Sequence, residues 1–434
     1  MKKKITLILL MLGLSVSAYV NAQPFTLYAS GFSNLIGLSF DSNGNLWVAE
    51  AGSGLNDSKI SMITPAAISY EVVTGLPSFF DTMSGETSGA WRAEMISSDV
   101  LMVVAGGGPD TNAGSLLFYN VSGFVPGVSL PFTVSDADSI LHISYWAYGN
   151  GFTDSNPFSA ALDANGNILI ADAGANALIK YETSTQTYSV LDTFPAFSNP
   201  FPGPPPSFDY VPTRIISNPS GGYYLGNLGA FFPGNGRVVA IDDAGMVSVL
   251  DSGFTSVVDI QLNPFTGDIY MLQFGEFDTS FAPIPGSAKI FRIDMSGNST
   301  ELYTGFGPSS SFVLDGIGGA YVSEIFTGNI LYFSDINGIP SIKQNKTLSL
   351  SVSPNPFSTS VKIDIESVGT SDSKIEIKNV LGKTVFTSDL ILQNGLNNFT
   401  WDGRSLLGED MPAGNYLLTI HTKAKSSSVK ILKQ

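Results

Sequence analysis

The sequence predicts an all-β chain, a six-bladed β-propeller followed by a small Ig-like β-sandwich. Three observations lead there. A phrase of turn plus apolar run recurs: DSNGNLWVAE from Asp41, DANGNILIAD from Asp163, NPSGGYYLGN from Asn218 and DGIGGAYVSE from Asp315. NPFTGDIYMLQ from Asn263 is a longer copy and DVLMVVA from Asp99 a weaker one. A unit repeated at roughly 45–65 residues points to a propeller or solenoid. The charge is also divided, because residues 24–344 carry 8 Lys and Arg against 29 Asp and Glu, whereas 345–434 carry 10 against 8. Two kinds of domain therefore follow one another. Finally, the tail has period-2 strands of its own, separated by glycine turns.

The bulk numbers agree. A chain of 434 residues, 43% hydrophobic and 13% charged, can build a large core and is poorly suited to disorder. With no Cys, neither disulfides nor thiolate metal sites are available. A net charge of −16 argues against nucleic acid as a partner.

Residues 1–22 read as a secretory signal peptide: Lys2, Lys3 and Lys4, then an apolar run over 5–14, then small residues ending at Ala22, the expected cleavage point. That run is too short to span a membrane comfortably, and no later segment is long and apolar enough to cross one. Residues 23–337 are expected to form the propeller. Each blade needs four antiparallel strands, the first nearest the axis. Blade one takes 35–40, 46–49, 59–63 and 68–73; blade two takes 91–96, 100–105, 115–119 and a fourth near 131–134. Blade three takes 158–162, 168–171, 177–181 and 188–191. Blade four takes 213–217, 223–226, 237–241 and 247–250; blade five takes 257–262, 269–272, 289–293 and 301–303. Blade six has 312–314, 320–323 and 329–333, one strand short. Residues 25–32 look like its missing fourth strand, which would close the ring and remove open edges. The Asn43-Gly44 pair suits a two-residue hairpin turn. Two long loops, 124–157 and the Pro-rich 194–212, are candidates for function. Residues 338–347 read as a linker and 348–434 as the second domain.

Aligned repeats place one polar residue at the end of each second strand: Glu50, Asp172, Asn227, Gln273 and Glu324, with Ala105 in blade two. The first strands begin at the same mouth, bringing Gly37, Ser159, Arg214, Asp259 and Ser311 near, with Arg92 or Glu94 from blade two. Acids around a central opening could hold calcium or another divalent cation through oxygen ligands, with Glu50, Asp172 and Glu324 as the candidates. A metal there would polarise a carbonyl or activate water. The competing reading is structural: a polar residue after each second strand ties the local turn into its blade. The Asp-x-Asn-Gly-Asn turns lack the later Gly and terminal Glu of a calcium loop and read as hairpin turns. In the long loop, His142 is a candidate base without an identified nucleophile. Tyr145, Trp146 and Tyr148 are a candidate stacking platform for a sugar or planar ligand, or pins holding the loop down.

The tail carries Pro354-Asn355-Pro356-Phe357, Leu381-Gly382-Lys383, Trp401-Asp402-Gly403, Pro412-Ala413-Gly414-Asn415-Tyr416 and a terminal Lys430-Ile431-Leu432-Lys433. In that order these resemble the C-terminal sorting domain of the type IX secretion system of Bacteroidetes. The resemblance implies passage through the periplasm to the outer surface or the medium, with the secretion machinery as partner. The repeat region, through Asp154 to Phe158, Val211 to Arg214, Gly222 to Asn227 and Ser252 to Val257, resembles the ScyD/ScyE family of secreted propellers. That family is related to NHL and SMP-30/gluconolactonase-like six-bladed propellers. The resemblance implies the fold far more than an activity. Three functions follow as expectations: a secreted binding scaffold for a small molecule, glycan or protein; a metal-assisted lactonase-like hydrolase; or a structural or adhesive surface protein.

Overall fold

The short apolar runs become strands because each is covered on both faces by neighbouring blades. A computed structural model describes residues 25–336 and 348–434, apart from 83–84, 200–204, 265, 279–281, 317, 368–369 and 423–425. The signal peptide expected at 1–22 and the linker expected at 338–347 lie outside the described residues.

Six four-stranded antiparallel sheets follow one another. Blade one is Leu35–Phe40, Leu46–Glu50, Ser58–Ile63 and Ser69–Leu76. Blades three, four and five repeat the pattern in chain order. Blade six is built from Ser309–Leu314, Ala320–Glu324 and Asn329–Phe333, and its fourth strand is Phe25–Ala29. Phe25 pairs with Phe333 and Leu27 with Leu331, as the missing-strand argument requires.

The cores lie between blades, one at each of the six interfaces. The interface that joins the end of the ring to its start packs Leu38 and Val48 of blade one against Val313 and Ile330 of blade six. Burying one such aliphatic side chain is worth about 1.5–3 kcal/mol, so the ring is held by many equivalent contacts rather than by one centre. Gly37 is required at its position: a Cβ there would lie 2.3 Å from the Trp91 carbonyl oxygen of the next blade.

Several details depart from expectation. The hairpin at Asp41 is not a two-residue turn. Asp41 N–H donates to Asn45 C=O at 3.0 Å, and of the Asn43-Gly44 pair only Gly44 is left-handed, with φ of +81°. This is the longer turn with a glycine in its last position. Asp41 Oδ1 accepts the amides of Asn43 and Asn45, both at 2.9 Å, and Asp163 does the same for Asn165 and Asn167. These acids therefore cap their own turns. The fourth strand of blade two is Ser139–His142, not 131–134. Phe132 instead bonds to the outer strand of blade one, donating to Val72 C=O and accepting from Thr74 N–H, both at 2.8 Å. The long loop also holds a short helix, Ile143–Gly149. In the Pro-rich loop, Phe197–Ser198 pairs with Ser207–Phe208.

The tail forms two sheets, Leu348–Ser353, Val361–Ser367 and Gly395–Trp401 in one, and Thr384–Leu392, Ser371–Asn379, Gly414–Thr422 and Ser426–Lys433 in the other. Sequence alternation marks strands at 360–367, 374–378, 384–387, 398–401 and 416–422, so the strands at 348–353 and 426–433 are additional. Ile363, Ile365, Ile375, Ile377, Trp401, Leu418 and Ile420 form the core between them. Alternation of buried and half-buried positions along Gly414–Thr422 is what a sandwich strand requires.

Candidate functional site

Every first strand carries a β-bulge close to its start, at Leu35/Gly37, Ala90/Arg92, Pro157/Ser159, Pro212/Ile215, Val257/Asp259 and Ser309/Ser311. A bulge inserts one residue and re-aims the side chains that follow. One belt of residues results: Gly37, Arg92, Ser159, Arg214, Asp259 and Ser311, one from each blade. Blades two and five stand opposite each other in a ring of six, and Arg92 Nη1 lies 2.9 Å from Asp259 Oδ2. That contact therefore crosses the axis.

The network extends from there. Asp259 Oδ2 also accepts the Ser311 hydroxyl at 2.6 Å and Phe312 N–H at 3.0 Å. Arg214 pairs with Glu94 and lies 3.7 Å from Asp259 Oδ1 through Nε. Arg92 and Asp259 are fully enclosed, whereas the Glu94 side chain is 22% exposed. Burial pulls the Arg92 guanidinium below its usual range, although Asp259 opposes this. Burial pulls on Arg214 too, but Glu94 and Asp259 together carry it above its ordinary value. Two cations and two carboxylates thus line the axis as a neutral set, in which each ion depends on its partners.

The polar column at the ends of the second strands behaves differently. Glu50 accepts Ser33 N–H at 2.8 Å, Gln273 accepts Thr255 N–H at 3.0 Å, and Glu324 accepts Gly307 N–H at 2.8 Å. Asp172 accepts Asn156 N–H at 2.7 Å and the Ser155 hydroxyl at 2.5 Å. Each therefore bonds the chain entering its own blade. Burial raises both Glu50 and Asp172 above the usual carboxylate range. Asn227 differs, with Oδ1 and Nδ2 buried and without a protein partner. The donor set Glu50, Asp172 and Glu324 does not fit a shared cation. Among the described residues, no group of three or more His, Cys, Asp and Glu is placed to hold a metal ion.

The loop candidates separate. Trp146 stacks on Tyr188, centroids 5.3 Å apart at 26°, and so pins the helix to blade three. Tyr145 is 84% exposed and Tyr148 is 52% exposed. Partial burial, then Asp154 and the column residue Asp172, raise the Tyr148 hydroxyl above its ordinary pKa. His142 Nδ1 lies 3.2 Å from the Ser115 hydroxyl. Ser115 is fully buried, so that pair presents no open nucleophile. Three features at the mouth go beyond the sequence reading, which named Arg92 only as an alternative to Glu94. One is the full role of Arg92. Another is the aromatic group Phe231, Phe274, Phe277 and Phe326, whose rings stand 5.0–6.3 Å apart. The third is Arg237 over the Tyr210 ring at 3.5 Å. Recurring Phe after the second strands was the available signal.

Fold and mouth together define a propeller with an ion-filled axis and an aromatic rim. Residues 346–426 match the family described as the FlgD Ig-like domain. No curated protein matches the sequence. Among solved structures the chain is similar to a putative gluconolactonase, at 11% identity over 72% of this chain and 92% of that one, TM-score 0.44. It is similar to regucalcin, a calcium-binding protein from Agrobacterium tumefaciens, at 12% over 72% and 95%, TM-score 0.45. It is also similar to PorZ, a surface component of the type IX secretion system of Porphyromonas gingivalis, at 12% over 94% and 75%, TM-score 0.28. Among the described residues no helix is long and apolar enough to cross a membrane.

Proposed function

We propose that the chain is a secreted binding protein whose ligand seats on the mouth of the propeller. One observation carries this reading. All five exposed aromatic side chains among the described residues lie on the connections at the mouth end. Phe79 and Phe80 lie between blades one and two, Tyr145 and Tyr148 on the helix before blade three, and Phe326 in the turn after Glu324. Exposed rings gathered on one face suit stacking against a planar or sugar-ring ligand. Glu94, Arg214 and Asp259 supply polar anchors below the rim. A lactonase-type hydrolase finds less support, because Glu50, Asp172 and Glu324 are engaged with backbone amides of their own blades.

Export is assigned to the tail. The ordered motifs of 348–434 and its sandwich support a type IX sorting domain that passes the propeller to the cell surface or the medium. Fusing 348–434 to a reporter in a Bacteroidetes host tests this; a reporter retained in the periplasm refutes it. For the mouth, a panel of soluble oligosaccharides titrated calorimetrically is the test. Tyr145→Ala with Phe326→Ala should weaken the binding members about tenfold, equivalent to about 1.4 kcal/mol, while leaving the melt unchanged. A panel without a binder, or binding untouched by the double variant, overturns the reading.

A further inference from the structure

Arg92 is 1% exposed, and its guanidinium is engaged on one side. Nη1 donates to Asp259 Oδ2 at 2.9 Å and to the Ser311 hydroxyl at 2.6 Å. Nε and Nη2 are buried with no protein partner. These two nitrogens form one edge of the guanidinium, with parallel N–H bonds. That edge matches both oxygens of a carboxylate. Arg214 Nε and Asp259 Oδ1 are also buried without a hydrogen-bond partner, 3.7 Å apart. An unmet buried donor is destabilising, and more so when charged. Three donors and one acceptor on these linked side chains are thus left for an occupant to meet.

The surroundings narrow its chemistry. The Phe158 ring stands 5.7 Å from Arg92 Cζ and walls one side. Gly37 brings no side chain to the belt, and the Ser159 hydroxyl is turned away to the Thr213 carbonyl at 2.7 Å. The orphaned set is three kinds of N–H donor and one carboxylate oxygen, which fits a group that accepts through two oxygens and carries a hydroxyl beside them. The blade region is strongly acidic, so long-range attraction does not draw an anion in. Selectivity has to come from the fork.

We infer that the Arg92 fork takes the carboxylate of an acidic sugar, a uronic acid, whose ring lies toward the aromatic rim. The inference rests on the mouth being the ligand face. It is tested on the full chain with sodium glucuronate, the methyl ester of glucuronate, and glucose, read by melting temperature and tryptophan fluorescence. Trp91, next to Arg92, is the reporter. Glucuronate should raise the melt and change the fluorescence, with the two neutral sugars binding at least about tenfold more weakly. Arg92→Lys keeps the charge but not the fork, and should lose that preference. Equal binding of all three sugars overturns the inference while leaving the mouth as the ligand face. Glucuronate binding that survives Arg92→Lys overturns it as well. No response to any of the three assigns the orphaned donors to water and removes the acidic-sugar site. The comparison of sugars on the unaltered chain decides the matter even where Arg92→Lys does not fold.

Discussion

Replacing Asp259 with alanine removes the one carboxylate that touches both buried guanidiniums. Its Oδ2 accepts three donors, Arg92 Nη1, the Ser311 hydroxyl and Phe312 N–H. Without it, Arg92 keeps no anionic partner and the Phe312 amide is orphaned inside the ring. Breaking a buried ion pair from one side costs about 3–5 kcal/mol, and an orphaned amide about 1–3 kcal/mol more, with partial relaxation lowering the sum to about 4–6 kcal/mol. At about 2.1 cal/mol/K per residue, roughly 300 propeller residues give an unfolding entropy near 0.6 kcal/mol/K, so the melt should fall by about 6–10 °C. Asp259→Asn keeps an acceptor for Ser311 and Phe312 and should fall less. Calorimetric melts of the parent and both variants at pH 7 provide the measurement. An alanine variant melting within about 1 °C of the parent would show that water reaches the axis and already screens these charges.

Other expectations follow from the same geometry. Gly37→Ala drives a methyl group into the Trp91 carbonyl and should cost about 1–3 kcal/mol by overpacking, visible as a lower denaturant midpoint with an unchanged slope; an unaltered midpoint would show that blades one and two slide freely. Glu50→Gln keeps the acceptor for Ser33 N–H, as Gln273 does for Thr255, while removing a desolvated charge. Burial raises Glu50 above its unfolded value, so its penalty is full at neutral pH and is relieved as pH falls through the raised pKa. The variant should therefore melt higher than the parent at pH 7, with the gap closing toward pH 4.5; a gap that widens on acidification contradicts the sign. Deleting Phe25–Ala29 removes the ring of Phe25 from Phe333, 5.2 Å away, and from Phe306, 6.3 Å away. It should destabilise the propeller by at least about 3 kcal/mol and promote aggregation through the open edge, read by melting and light scattering.

The blades were legible because strands covered on both faces read as unbroken apolar runs bounded by glycine turns. Leu46 to Ala49 and Ile269 to Leu272 needed no tertiary information. The polar column was legible too, but its work was not, since a carboxylate ending a strand reads the same whether it binds an ion or caps an amide. The bulges settle that division by turning the belt, not the column, toward the axis. Arg92 and Asp259 lie on opposite blades, and no local period links them. Ile143–Gly149 is seven residues long, too short for a helical period to show. Ser139–His142 is a four-residue strand that a search for longer alternation passes over.

The pairing of Phe25 with Phe333 also fixes an order of events. At about 5–20 residues per second, the ribosome finishes the partner strand roughly 15–60 s after it has made Phe25. Until then Phe25, Leu27 and Tyr28 have no sheet, and the core shared by Val48 and Val313 cannot form. Such distant pairing is the slowest kind to find, because its loop entropy is met before any contact returns it. The ring becomes one cooperative body only at its last strand. Until that strand is made, blade one lacks its neighbour and blade six its middle strands, so the two edges that close the ring stay open together.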